Sequence, residues 1–118
     1  MRRIVALLFV LLGAAEASAA PCTGWLEPKF WKTAALADVE RCLATSKVNA
    51  RAEDGWTPLH HAAAFSTAPA IVTALLKAGA DARAVDEDGK KPVDHAENNE
   101  ALKSTDAYWR LNDAAYGD

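Results

Sequence analysis

An internal repeat is the feature that most restricts how this chain of 118 residues can fold. The segment Asp54–Ala62 (DGWTPLHHA) recurs 34 positions later as Asp88–Ala96 (DGKKPVDHA). Asp, Gly, Pro, His and Ala stand at the same places in both segments, and Leu59 is matched by Val93. A period of this length is typical of chains that stack one small structural unit repeatedly. The sequence therefore predicts a repeat stack.

The first half of the unit has the residues of a short helix. Thr57 can accept a backbone N–H at a helix start, and Pro58 can occupy the first helical position because its missing N–H is not needed there. Apolar residues then follow at helical spacing at Leu59, Ala62 and Ala63. We therefore predict a helix that begins at Pro58 and buries one face.

The second half predicts another helix and a turn-rich loop. Ser66–Pro69 interrupts the first helix, and Pro69 can open a second one. Gly79 is suited to end it in a left-handed conformation. The polar stretch 81–89 then leads to the next Pro-containing start. The apolar positions of this second helix are Ile71, Val72, Leu75 and Leu76.

Two motifs of the central unit together resemble the ankyrin-repeat signature. They are Gly55-x-Thr57-Pro58-Leu59-His60-x-Ala62-Ala63 and Leu75-Leu76-x-x-Gly79-Ala80-Asp81, with one extra residue in the turn around Thr67-Ala68. The resemblance covers roughly residues 28–114 and is most specific in 53–89. It implies an all-α fold: a short ankyrin solenoid of about three helix-turn-helix repeats with hairpin-like loops and a C-terminal capping helix.

The flanking sequences are more divergent copies, as expected of terminal repeats. We predict an N-terminal repeat at about 28–50, a central repeat at about 51–84, and a C-terminal repeat with its cap at about 85–115. Pro28 is expected to start the first helix and Asp38 to cap the second. Asn99 and Thr105 are expected to cap the last two helices. The final helix has a predicted apolar face of Ala107, Tyr108, Leu111, Ala114 and Ala115.

The first 19 residues resemble a cleaved signal peptide. Arg2 and Arg3 precede an apolar run, and Ala17-Ser18-Ala19 fits the small-x-small cleavage rule. The mature domain would then be 20–118, located in a periplasm or secreted. A membrane anchor is the alternative, but the run is short of the roughly 20 residues of a span. A lipid anchor on Cys22 is disfavoured by the preceding Pro21.

Charge and cysteine content restrict the partners. The formal net charge of −3 becomes −4 once Arg2, Arg3 and Glu16 are removed, and no basic stripe is present. This argues against nucleic acid and against an anionic membrane surface. We expect no membrane insertion after cleavage, and a monomer. Cys22 and Cys42 are predicted to form a disulfide, because export leads to an oxidising compartment; two free thiols are the alternative.

Histidines are the main candidates for chemistry. His60 occupies the signature position whose usual role is structural, bonding toward a neighbouring loop, and Asp94 is its counterpart one repeat later. His61 and His95 share a slot that tends to face the concave side, about 10 Å apart at helix-packing distance. That separation disfavours a shared zinc, whose Zn–N bonds are about 2 Å. We predict exposed contact residues whose protonation below neutral pH could weaken binding.

Neither a nucleophile motif, nor a phosphate-binding glycine loop, nor a complete calcium loop is present. We therefore expect no enzyme, no cofactor and no bound metal, but a module that binds a specific protein. The alternatives are a metal-dependent or enzymatic protein using His61 and His95, and an accessory structural subunit of an envelope complex. The predicted partner-binding residues, on hairpin tips and the concave helix face, are Arg51, Glu53, Trp56, His61, Phe65, Val85, Glu87, Lys90, His95 and Asn99. Trp56 is the predicted anchor of this set, packing against the preceding hairpin being the alternative.

Overall fold

The computed structural model describes residues 22–117, and within that range the chain is helical and contains no strand. The predicted signal peptide and its cleavage site lie outside the described residues. A 3-10 turn at Cys22–Gly24 precedes seven α-helices. They are α1 (Pro28–Thr33), α2 (Leu36–Leu43), α3 (Pro58–Phe65), α4 (Pro69–Lys77), α5 (Pro92–Ala96), α6 (Glu100–Lys103) and α7 (Asp106–Tyr116).

The helices form two rows. In one row α1 packs against α3, and α3 packs against α5; in the other, α2 packs against α4. The third repeat departs from this pattern because its second helix, α6, is only one turn long. Helix α7 packs against both α4 and α5 and closes this end of the stack. The predicted lid helix is therefore present, and it covers both rows.

Proline marks the helix starts, as the sequence indicated. Pro28, Pro58, Pro69 and Pro92 each occupy a first-turn position, where the absent N–H leaves no bond unmade. Three predicted capping residues also accept a hydrogen bond from a backbone amide of the helix that they start. Thr57 accepts from the His60 amide, and Asn99 and Thr105 accept from Ala101 and Tyr108.

Two local predictions were wrong. Asp38 does not precede helix α2 but lies inside its first turn, where its carboxylate accepts the Ala35 amide at 3.0 Å. The helix therefore starts three residues earlier than expected, at Leu36. Ala114 is exposed, whereas Ala107, Leu111 and Ala115 form the buried face of α7. A spacing of four from Leu111 to Ala115 stays on one helix face more closely than a spacing of three does.

Two hairpin loops connect the repeats and lie against one another. The Ala52 amide donates to the Trp56 carbonyl in the first hairpin, and the Asp86 amide donates to the Lys90 carbonyl in the second. The equivalent glycines Gly55 and Gly89 have φ of 83° and 77° at the tips, a conformation that residues with a Cβ rarely adopt. A further bond from the Glu87 amide to the Asp54 carbonyl, 3.0 Å long, joins the two tips.

A disulfide and an aromatic core stabilise the N-terminal repeat. Cys22 and Cys42 are bonded, which confirms the predicted pair and attaches the first turn to α2. Phe30 and Trp31 are buried on α1 and pack against Trp25. The Trp31 indole donates to the Trp25 carbonyl at 2.9 Å. None of the helices in the described range is long and apolar enough to cross a membrane.

Candidate protein-binding surface

The start of α3 is connected to the following hairpin through His60. Its Nδ1 accepts the Thr57 amide at 3.2 Å, and this fixes the hydrogen on Nε2, which donates to the Lys90 carbonyl at 3.0 Å. The ring is completely buried. Asp94 caps α5 in the same way in the next repeat, accepting the Lys91 amide at 2.8 Å. The structural role predicted for His60 is confirmed.

Trp56 lies at the centre of a group of rings. Its ring centroid is 4.4 Å from that of His95, 5.0 Å from that of His61 and 6.0 Å from that of Phe65. Trp56 and Phe65 are nearly parallel, at 21°, and both are half-buried. We call Trp56, His61, Phe65 and His95 the aromatic cluster. Trp56 is therefore packed and partly accessible at once, not a fully exposed anchor.

His61 differs from its prediction. The sequence predicts an exposed contact residue, but the side chain is buried, with 3% of its surface exposed, beneath Trp56 and alongside Phe65. Neither ring nitrogen makes a hydrogen bond of normal geometry within the described residues, although the Leu26 backbone lies close enough to act on the ring. Burial lowers the pKa of His61 to about 4, although the charge of Asp54 acts in the opposite direction. The ring is therefore neutral at pH 7 and unavailable to a partner. The error arose because Trp56, one turn before it, covers the slot.

His95 occupies the equivalent slot and is only partly buried; Lys90 stands where the central repeat has Trp56. Its Nε2 lies 2.8 Å from the Asp86 carboxylate, which is fully buried at its side chain. Burial alone would raise the pKa of Asp86, but hydrogen bonds from His95 and from the Lys90 and Asp88 amides lower it below its usual value. This pair holds α5 against the second hairpin.

Within the described residues, His60, Asp86 and His95 offer ligand atoms within 4.8 Å of one another. All three are already engaged: His60 Nε2 with the Lys90 carbonyl, and Asp86 with His95. Binding a metal through His60 would require moving its hydrogen to Nδ1, which faces the Thr57 amide. The geometry fits a hydrogen-bond network better than a metal centre. The alternative predicted from the sequence was a metal-dependent or enzymatic protein using His61 and His95, but His61 is not in this group.

The other predicted contact residues divide into two kinds. Arg51 is exposed, but its guanidinium donates to the carbonyl of Val85, whose side chain is 42% exposed. Asn99 is structural: its amide nitrogen donates to the Ala63 and Ser66 carbonyls at 3.0 and 2.9 Å. Glu53, Glu87 and Lys90 are exposed and remain available.

Three features of the surface were missed. Lys32 on α1 places its ammonium 5.2 Å from the centre of the Phe65 ring. Asp54 and Asp88 are exposed beside the predicted Glu53 and Glu87 on the hairpin tips. Trp109 is 58% exposed on α7. The acidic tips were visible in the sequence as Glu53-Asp54 and Glu87-Asp88, whereas the Lys32 contact depends on how α1 packs against α3.

Residues 43–96 match the family model described as "Ankyrin repeats (many copies)". No curated protein matches the chain. The match covers the central repeat and its two hairpins, and the helices described above continue the stack on both sides. The fold is a short all-α repeat stack, as predicted, and its central part matches ankyrin repeats. Ankyrin repeats generally mediate protein–protein interactions and are typically not enzymes.

Proposed function

We propose that this protein is an extracytoplasmic binding module that recognises a specific protein partner and catalyses no reaction. The observation that carries the proposal is the pair of stacked, half-buried rings of Trp56 and Phe65 next to the exposed hairpin tips. Aromatic side chains that a fold leaves partly accessible are frequent energetic centres of interfaces. The general role of ankyrin repeats supports the same function.

The proposed location outside the cytoplasm has two supports. The leader has the charge, apolar run and small residues of a signal peptide. The disulfide between Cys22 and Cys42 persists most readily in an oxidising compartment. Cell fractionation followed by N-terminal sequencing tests the location. A mature chain beginning at Ala20 in the envelope or the medium is expected, and an uncleaved chain in the cytoplasm would contradict it.

The binding function is tested by affinity capture from the envelope fraction of the native host. The bait is the oxidised mature chain from Ala20, with Trp56→Ala and Trp109→Ala as parallel baits. Trp109 is the matched control because it is an exposed tryptophan on α7, outside the aromatic cluster. We expect a partner that is lost with Trp56→Ala and retained with Trp109→Ala.

Trp56 also packs against buried rings, so loss of binding could follow from loss of fold. Phe65→Ser changes the accessible side of the stacked pair, and thermal unfolding of each variant shows whether the fold is intact. Loss of the partner only in variants that no longer fold would remove the support for this surface. A partner lost with Trp109→Ala alone would move the interface to the C-terminal cap.

A further inference from the structure

The two hairpin tips bring four carboxylates together on one side of the aromatic cluster. Glu53 and Asp54 lie on the first tip, Glu87 and Asp88 on the second, and all four are exposed. The hydrogen bond from the Glu87 amide to the Asp54 carbonyl holds the tips side by side. None of the four side chains forms an ion pair with another part of the chain that the structure describes.

Lys90 lies at the base of the second hairpin, whereas the Arg51 guanidinium reaches the first tip, where its Nη2 lies 3.3 Å from the position that a Cβ on Gly55 would take. Arg51 precedes the first hairpin and donates to the Val85 carbonyl. Lys90 closes the second hairpin, its carbonyl accepting the Asp86 amide. Neither is in an ion pair with a tip carboxylate. Four carboxylates against this one guanidinium leave the two tips with a net negative charge.

The aromatic surface next to the tips also favours a cation. Trp56 follows Asp54 by two residues, and the Asp54 carboxylate accepts the Trp56 amide at 3.1 Å. The faces of aromatic rings carry negative electrostatic potential and attract ammonium and guanidinium groups. The Lys32 ammonium over Phe65 is such a contact made by the chain itself. Trp56 is half-buried, and no cation of the described residues lies above its ring.

We propose that the partner is a protein with a basic surface, which places an arginine or lysine side chain over Trp56 and further basic side chains against the tip carboxylates. The argument is charge complementarity between this surface and its occupant, and it rests on the proposed binding function. Complementary charge of this kind raises the association rate and excludes partners of the wrong sign.

The test is a titration of the isotope-labelled, oxidised mature chain followed by NMR. The probes are the peptide Gly-Arg-Gly-Arg-Gly and its glutamate counterpart, at an ionic strength of about 0.01 M, where the screening length is about 30 Å. The arginine peptide should give saturable shifts at the Trp56 indole and at the amides of 53–56 and 87–89. The glutamate peptide should give none. Shifts spread evenly over other acidic positions, or no shifts at all, would overturn the proposal.

Charge reversal makes the test specific. The double variant Glu53→Lys/Glu87→Lys should lower the affinity for the arginine peptide at least about tenfold, since two attractive contacts become repulsive. The matched control is Glu40→Lys/Glu100→Lys, two exposed glutamates on α2 and α6. It has the same change in net charge and, when both variants are compared at an ionic strength of about 0.15 M with a screening length of about 8 Å, should alter the affinity less than about twofold. An equal loss in both variants would indicate general attraction to a negative protein and would refute the proposed surface.

Trp56→Leu separates the ring from the charge. It should weaken binding of the arginine peptide about two- to fivefold, because an exposed cation–π contact contributes about 0.5–1 kcal/mol. A captured protein partner that is lost with Trp56→Ala but unaffected by Glu53→Lys/Glu87→Lys would preserve the binding function and refute the basic partner. If no partner is captured but the arginine peptide binds specifically, the acidic surface would be supported and the proposed capture of a protein partner would be contradicted.

Discussion

In the central repeat, the first helix is held in place by hydrogen bonds. In the N-terminal repeat, the corresponding helix is held by packing of aromatic side chains and by a disulfide. Helix α3 begins with Thr57 and His60 bonded to each other, and His60 also donates to the Lys90 carbonyl of the next hairpin. Helix α1 begins after Glu27, whose side chain makes no capping bond. Its stability comes from Phe30 and Trp31 and from the Cys22–Cys42 bond nearby.

The difference follows from the number of neighbours. A central repeat is contacted on both sides, so a buried histidine finds a carbonyl of the next repeat to bond. A terminal repeat has a neighbour on one side only and must cover its outer face by other means. In this chain those means are large aromatic side chains and a disulfide, and they make the N-terminal repeat less dependent on the rest of the stack.

The largest effect is expected from Trp31→Ala in the N-terminal repeat. Trp31 has no exposed surface, and its indole donates to the Trp25 carbonyl, so the change leaves both a cavity and an unpaired carbonyl. We expect a loss of about 4 kcal/mol in the free energy of unfolding, measured in urea. Trp109→Ala is the control and should change it by less than about 0.5 kcal/mol. A small loss with Trp31→Ala would show that the aromatic core is not what holds this repeat.

Removal of the disulfide comes next. Cys22→Ser/Cys42→Ser opens a loop closed between residues 20 positions apart, which should lower stability by about 3 kcal/mol in the chain-entropy model. Hydrogen exchange should quicken in the Cys22–Gly24 turn and α1 while α3 and α4 stay protected. Equal loss of protection in all four segments would instead show that the two repeats unfold as one unit.

The pH dependence of stability should have a component from the buried His61. In the unfolded chain its pKa is near 6.5, and in the fold burial lowers the pKa of His61 to about 4. The folded state therefore binds this proton less readily, and stability is lost as the pH falls from 6.5 to 4. The loss attributable to His61 should be about 2 to 3 kcal/mol.

Other groups titrate in the same pH range, so their contributions to the stability must be subtracted. The charges that act on His61 come from Asp54, His60 and His95, and burial also lowers the pKa of His60. The variant His61→Leu removes only the one ring, so the difference between its stability profile and that of the parent isolates His61. Parallel profiles would mean that His61 reaches solvent. For His61, this effect on stability replaces the expectation that its protonation acts directly on partner binding.

The smallest loss of stability is expected when a hydrogen bond of His60 in the central repeat is removed. His60→Asp copies Asp94, which caps α5 without bonding a further hairpin. The aspartate can still accept the Thr57 amide but cannot reach the Lys90 carbonyl, so we expect a loss of about 1 to 2 kcal/mol. His60→Ala, which removes both bonds, is the comparison and should cost more. Equal losses would show that the bond to Lys90 contributes little.

Much of the fold was predictable because local rules decide it. The 34-residue repeat, the prolines at helix starts and Thr57, Asn99 and Thr105 as caps depend on short-range geometry, and the structure has them where expected. The start of α2 was misplaced because Asp38 can cap from inside the first turn as well as from before it. The short α6 was predicted as well, with Asn99 as its cap and Lys103 as its last residue, because Thr105 caps the next helix directly after it.

The candidate surface was less predictable, because side chains from different repeats define it. Sequence position placed Trp56, His61 and His95 near the concave face, but only packing decides which ring lies above another. Trp56 packs over the buried His61, whose nitrogens make no hydrogen bond of normal geometry within the described residues, while His95 pairs with Asp86. Asn99, predicted as a contact, bonds two carbonyls that meet only when α3 ends beside it.

The sequence by itself determined the repeat, the helix boundaries near each proline and the residues able to form a disulfide, since these depend on neighbours along the chain. The tertiary structure alone decided which polar groups are buried, which rings remain accessible, and that the acidic tips of two hairpins stand together. The physical reason is that exposure and charge proximity are properties of pairs of residues about one repeat apart, and packing sets the distances between them.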